Sequence, residues 1–342
     1  MMLNDRKMMI LQAIVKDYIE SAEPVGSRSL SKKYNLGISP ATIRNEMADL
    51  EELGLIKQPH TSAGRVPSDK GYRLYVDQLM EIKQMADQNR VRLKTELLRQ
   101  YHELEQMLQY TSKLLSEFTS YTSIVLAPQV KKSRLKHIKL ARIDDENMLA
   151  VFVTNTGLIQ NPIFHVPPEL TGDELEKIAN FLNQKFSGLT LEEIETRLAG
   201  ELQTELAVFH SSVHDVMPEL FHTLEQMSDI GLYLSGTTNI LNFPEFSDLT
   251  KARDFLTLME EKQVISQMIT DPAGGQLKIS IGSENQVQRA KECSIVTASY
   301  QMDNQTVGWM SVIGPTRMDY AHVIDVLDQM SRLMNQALKN KS

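Results

Sequence analysis

Gly37-Ile38-Ser39-Pro40 constrains this chain more than any other short stretch. Serine followed by proline is an N-cap with proline at the first helical position, where its missing N–H costs nothing, so a helix is expected to begin there. Gly37, just upstream, supplies the φ > 0 position of a tight turn. Before that turn, residues 27–34 read as a short helix with Leu30 and Tyr34 on one face. After it, the capped helix runs to about residue 53 and stops at Gly54. A short helix, a glycine turn and a second capped helix make the helix-turn-helix layout. Upstream, Ile10, Ile14 and Ile19, with Leu11, Val15 and Tyr18, recur near helical spacing and predict an amphipathic helix over about 5–21, closed by Pro24 and Gly26.

At 100° per residue, Ile43, Met47 and Leu50 share the core side of the capped helix, and Ala41, Arg44, Asn45 and Ala48 share the other. Two alanines allow close backbone approach to a groove, and Arg and Asn are the types that read guanine and adenine edges bidentately. Ser39 and Thr42, at the positive end of the helix, are placed to hold a phosphate. Residues 55–57 then read as a strand with residues 65–75 as its return. The loop between them, Gln58-Pro59-His60-Thr61-Ser62-Ala63-Gly64, is small and hydroxylated, with His60 and Arg65 at its ends. A hairpin after a recognition helix is a wing.

Charge agrees. The chain has 342 residues and a net charge of −8, yet residues 1–75 hold 11 Lys/Arg against 9 Asp/Glu, leaving 25 against 35 for the remainder. Residues 26–45 carry Arg28, Lys32, Lys33 and Arg44 with no acid. A locally basic module in an acidic protein is the footprint of nucleic-acid binding. At about 100–200 residues per domain, two or three domains are expected. No apolar run approaches the ~20 residues of a membrane span, and residues 8–15, with Gln12 inside and Asp5 and Asp17 flanking, read as no signal peptide. The single cysteine, Cys293, excludes an internal disulfide framework and any multi-cysteine metal site, which favours a cytoplasmic location.

Two stretches now become recognisable. Ser39-Pro40-Ala41-Thr42-Ile43-Arg44-Asn45-Glu46-Met47 and His60-Thr61-Ser62-Ala63-Gly64-Arg65-Val66-Pro67-Ser68-Asp69-Lys70-Gly71-Tyr72-Arg73 closely resemble the HrcA heat-inducible transcription repressors of bacteria, as does Gly314-Pro315-Thr316-Arg317-Met318-Asp319-Tyr320. The resemblance implies a winged helix, a GAF-like domain and a dimerising domain inserted in it. It also implies the CIRCE inverted-repeat operator before chaperone operons (groE and dnaK type) and the chaperonin GroEL as the partner that keeps the repressor active.

Beyond residue 75 the pattern predicts one long helix to about residue 118, with Leu97, Tyr101, Leu104, Leu108, Leu115 and Phe118 near heptad spacing, packed on the next domain. Strands are expected at 123–126, 135–143, 148–153, 158–165, 277–281, 294–301 and 306–313, and helices at 248–265 and 318–339. Thr171 with Glu174, and Thr190 with Glu193, form capping-box patterns, so about 169–229 reads as a helical block between strands of one sheet. Such a block buries little core alone and favours self-association. The expected architecture is α+β and multidomain: a winged helix over 1–75, a GAF-like domain over 76–168 and 230–342, and a mainly helical dimerisation domain over 169–229.

Other chemistry is sparse. His210 and His214 have metal-ligand spacing, with Asp215 and His222 near, but Pro218 intervenes and helix-face histidines are the expectation. Ser235-Gly236-Thr237-Thr238 reads as a plain loop, and Lys131, Lys132, Arg134, Lys136, Lys139 and Arg142 as a solvated strand face. No phosphate loop, nucleophile–base pair, cofactor or metal site is expected. The reading is a dimeric repressor, not an enzyme, that binds double-stranded DNA at an inverted repeat and no membrane. Arg44 and Asn45 read bases on the open face shared with Ala41. Ser39, Thr42, His60, Thr61, Arg65, Lys70 and Arg73 touch backbone or wing-side DNA. The rival is a metabolite-responsive regulator with a small effector in the GAF-like domain; an enzyme carrying a DNA-binding domain, as biotin ligases do, is weaker.

Overall fold

The computed structural model describes residues 3–34, 36–60, 63–81, 87–97, 104–128, 133–155, 159–165, 171–190, 193–194, 231–270, 276–302 and 305–339. Its first three helices are α1 (Asp5–Ser21), α2 (Ser27–Lys33) and α3 (Pro40–Glu52). Ser39 caps α3 by accepting the Thr42 N–H at 3.1 Å, a bond of a kind that contributes about 1 kcal/mol, and Gly37 sits at φ +65°. Ile10, Leu11, Ile14, Leu30, Ile43 and Leu50 are fully buried and form the three-helix core.

The wing is shorter than the sequence pattern suggests. β1 (Ile56–Lys57) pairs with β2 (Val66–Pro67), and the return strand expected to reach residue 75 stops there. Ser68 accepts the Gly71 N–H and starts a helix, α4 (Asp69–Leu74), which continues as one wide turn over Tyr75–Leu79. Val25 and Arg65 exchange both backbone hydrogen bonds, at 2.8 and 2.9 Å, so the wing base is also sewn to the α1–α2 connection.

The single long helix expected next is a helical hairpin. Met80 is extended, and α5 (Asp87–Leu97) and α6 (Leu104–Thr119) follow. A continuous helix would place Arg92 and Glu117 about 37 Å apart. They lie 3.6 Å apart, and the Tyr110 hydroxyl donates to Glu96. The apolar stripe is real: Leu97, Leu104, Leu108 and Leu115 are buried, as expected of packing on the domain.

Five antiparallel strands form the main sheet in the order β8-β3-β11-β10-β9: β3 (Thr122–Leu126), β8 (Leu232–Ser235), β9 (Leu277–Ile281), β10 (Cys293–Met302) and β11 (Gln305–Pro315). Both faces are covered, which is why β10 and β11 are buried almost end to end. Val296, Ala298, Tyr300, Met310 and Val312 face α6 and the closing helix, α10 (Tyr320–Lys339). Ile295, Trp309 and Ile313 face α8 (Leu249–Glu260) and α9 (Lys262–Ile269), which break at Glu261 where one helix was expected. Cys293 is buried on this second face, and burial pushes its thiol up to about 12.

The other expected strands belong to a different sheet. β4 (Leu135–Arg142) pairs with β5 (Asn147–Thr154), whose other edge meets both β6 (Ile159–Gln160) and β7 (Ile163–His165). Helix α7 (Gly172–Phe186), started by the Thr171–Glu174 capping box, covers one face, and Asn183 exchanges two hydrogen bonds of 2.7 Å with the Ile138 backbone. The helical block thus shares its core with strands, and the excursion from the main sheet starts after β3 rather than near residue 169. It leaves and returns side by side: the Ala127 N–H donates to the Gly231 carbonyl at 2.7 Å. His210, His214, Asp215 and His222 lie outside the described residues.

Candidate nucleic-acid interface

Ala41, Arg44, Asn45 and Ala48 are exposed along one side of α3, and Ile43, Met47 and Leu50 are buried on the other. This face borders a groove of about 620 Å³. Arg44 and Met47 line it from α3, Ser27 and Arg28 from the start of α2, and Gln58, Ala63, Gly64 and Arg65 from the wing. Recognition helix, α2 and wing therefore meet around three guanidinium groups.

Their charges are managed unequally. Lys33, in the same acid-free stretch, is drawn back to α1 by Asp17 at 2.6 Å and Glu20 at 2.9 Å; these bonds raise its pKa above lysine's ordinary value. Lys7 is similarly held by Glu46 and Asp49. Arg65 donates from Nε to Glu51 at 2.9 Å, which ties the wing to the last turn of α3. Among the described residues, Arg28, Lys32 and Arg44 have no carboxylate within 4 Å. Unneutralised cations around a groove are what a phosphate backbone attracts.

The remaining site residues divide. Ser39 and Thr42 hydroxyls bond each other at 2.9 Å at the exposed N-terminus of α3. His60 is exposed near the wing tip, and Thr61 lies outside the described residues. Lys70 and Arg73 are elsewhere: both line a second groove with Leu3, Asp5, Leu53 and Leu74. Lys70 Nζ donates to the Leu53 carbonyl at 3.1 Å and so caps the C-terminal end of α3. Arg73 is engaged by Glu284 of the C-terminal domain at 2.5 and 2.8 Å. Their spacing after the wing looked like a continuation of a DNA-facing strand; the helix that starts at Ser68 turns them away. Arg28 and Gln58 are the converse, groove residues absent from the expected set. The signal for Arg28 was the acid-free run, and Gln58 had none.

Three helices, a capped recognition helix and a two-strand wing define a winged-helix DNA-binding domain, here attached to a larger α/β body. Comparison with known proteins narrows the class. Residues 2–81 match the winged helix-turn-helix transcription repressor, HrcA DNA-binding family, and residues 105–324 the HrcA protein C-terminal domain family. The heat-inducible transcription repressor HrcA of Alkaliphilus metalliredigens is 49% identical over 100% of this chain and 99% of its own length. The repressor of the same name from Clostridium perfringens is 41% identical over 99% of this chain and 100% of its own. A crystal structure of a protein described as hypothetical superposes with a TM-score of 0.67 at 23% identity, covering 100% of both chains, and so shares the fold. The chain belongs to the HrcA family of heat-inducible transcription repressors. No helix among the described residues is long and apolar enough to cross a membrane.

Proposed function

We propose that this protein is a dimeric cytoplasmic repressor of chaperone operons of the groE and dnaK type. It places one winged helix on each half of the CIRCE inverted repeat, because a two-fold protein matches a two-fold operator. The observation that carries this reading is the groove bordered by Arg28, Arg44 and Arg65, whose α3 wall presents Arg44 and Asn45 to solvent. Arg44 and Asn45 read base edges. Ala41 permits close approach, and Ser39, Thr42, Arg28, His60, Thr61 and Arg65 meet the backbone. Lys70 and Arg73 support the domain rather than touch DNA. The C-terminal body is GAF-like, a reading supported by a five-stranded antiparallel sheet with helices on both faces. The excursion between β3 and β8 carries dimerisation. GroEL holds the repressor in its active form, and repression lapses when unfolded clients occupy the chaperonin.

The test is a binding titration on the CIRCE duplex and on a scrambled duplex of equal composition, over several salt concentrations, with and without chaperonin. A preference of about a thousandfold or more for the repeat, with a steep salt slope, is expected. Equal weak binding to both duplexes by soluble protein, chaperonin included, overturns this reading.

A further inference from the structure

Arg73 and the stretch Gly314–Tyr320 belong to one construction, the seam between winged helix and C-terminal body. At one end, Arg73 donates to both oxygens of Glu284 and to the Ile279 carbonyl, the last at 2.7 Å. Beside it, Asp69 accepts the Ser283 N–H at 2.8 Å. Gly282 makes that approach possible: at φ +51° a Cβ there would sit 2.4 Å from the Asp69 carboxylate. At the other end, Arg317 donates to Glu245 at 2.5 Å and to the Ile19 carbonyl, in the last turn of α1, at 3.1 Å, with its guanidinium over the Phe243 ring. Only 11% of the Arg317 side chain is exposed. Between the two ends Tyr72 packs on Tyr320, ring centres 6.0 Å apart, within one hydrophobic core that runs from Ile10 to Leu338.

Attachments on two elements, α4 (Arg73 to Glu284, with the neighbouring Tyr72 on Tyr320) and the end of α1 (the Ile19 carbonyl to Arg317), hold the orientation of a rigid body. We propose that Arg73, Glu284 and Arg317 are positioning residues that fix the winged helix on the C-terminal body and thereby set which half-site spacing the dimer accepts. The inference rests on the operator reading above. A base pair added between half-sites shifts one of them by about 3.4 Å and rotates it by roughly 35° about the duplex. A winged helix on a loose tether follows that change, whereas a clasped one loses contacts.

The experiment compares the full-length protein with Glu284→Gln/Arg317→Gln, both checked for an unchanged circular dichroism spectrum. Glu284 is replaced rather than Arg73 so that no cation is lost from the winged helix at that clasp. Binding is measured on the inverted repeat with its native spacer and with one or two base pairs inserted or removed. In parallel, spin labels at Glu52→Cys in α3 and Glu260→Cys in α8 report the distance distribution between the two bodies without DNA; Cys293 is buried and stays unlabelled. The wild type is expected to lose about tenfold or more on a one-base-pair change and to give a narrow distribution. The double variant is expected to lose less than about threefold and to give a broad one. A wild type that prefers no inverted repeat overturns the operator reading and this one with it. A wild type that prefers the repeat but tolerates altered spacers, or distributions of equal width in the two proteins, overturns the clasp alone.

Discussion

Arg44 and Arg73 are the same residue type in the same small domain, and their surroundings give them different work. Arg44 is exposed, beside a groove and without a carboxylate partner among the described residues, so its guanidinium is available to a guanine edge. Arg73 is saturated by Glu284, a backbone carbonyl and Asp77 at 3.3 Å, and breaking the Glu284 pair to reach DNA would strand a partly buried carboxylate. Arg44→Ala is therefore expected to cost about 1–3 kcal/mol on the operator and little on random DNA, read from paired titrations at one salt concentration. An equal loss on both duplexes would make Arg44 a phosphate contact instead. Asp77, four residues on, is the one local sign that separates the two arginines; the bidentate partner of Arg73, Glu284, lies more than two hundred residues away and was not legible.

Elements with local instructions were the most legible. The helix from Asp5 to Ser21, the capped start of α3 at Ser39-Pro40 and the capping box at Thr171 stand where their residues put them, since each depends on neighbours within four positions. The exposed face of α3 was legible for the same reason, as a 100° projection of one helix. Elements defined by distant partners were not. Alternation in β4 and β5 announces strands, but nothing in it says they pair in a sheet of their own rather than join β3. Likewise the heptad stripe over 97–118 is satisfied equally by one long helix and by the hairpin that forms. The wing was missed only in length, because Ser68 reads as a strand residue until its hydroxyl is seen to cap α4. The wing base makes a prediction at this scale. A Cβ at Gly64 would stand 2.5 Å from both the carbonyl carbon and the oxygen of Val25, and backbone cannot step aside as a flexible side chain can. Gly64→Ala is expected to break the Val25–Arg65 pairing, to destabilise the protein by about 1–3 kcal/mol in urea unfolding, and to weaken operator binding further than stability alone accounts for. Wild-type binding in a destabilised Gly64→Ala protein would show that the wing contributes no contact.

At the level of the whole molecule, the DNA-binding domain and the main sheet are joined by shared packing rather than by a linker alone. Ile10, Leu30, Tyr72, Val296, Met310 and Leu327 lie in one connected core. Cooperative unfolding follows. The only tryptophan, Trp309, is buried in β11 far along the chain from α3, so its fluorescence reports the sheet. Its loss in urea and the loss of amide protection in α1–α3 should share one midpoint; earlier exchange in the winged helix would mean that the seam opens before either body does. The junction at Ala127 and Gly231 has the opposite character. Because the chain departs and re-enters through neighbouring hydrogen-bonded positions, the main sheet sets no condition on the length of what is strung between them. That doorway behaves as a socket: what is strung between residues 128 and 230 can be lengthened or shortened while the main sheet and its seam with the winged helix keep every contact.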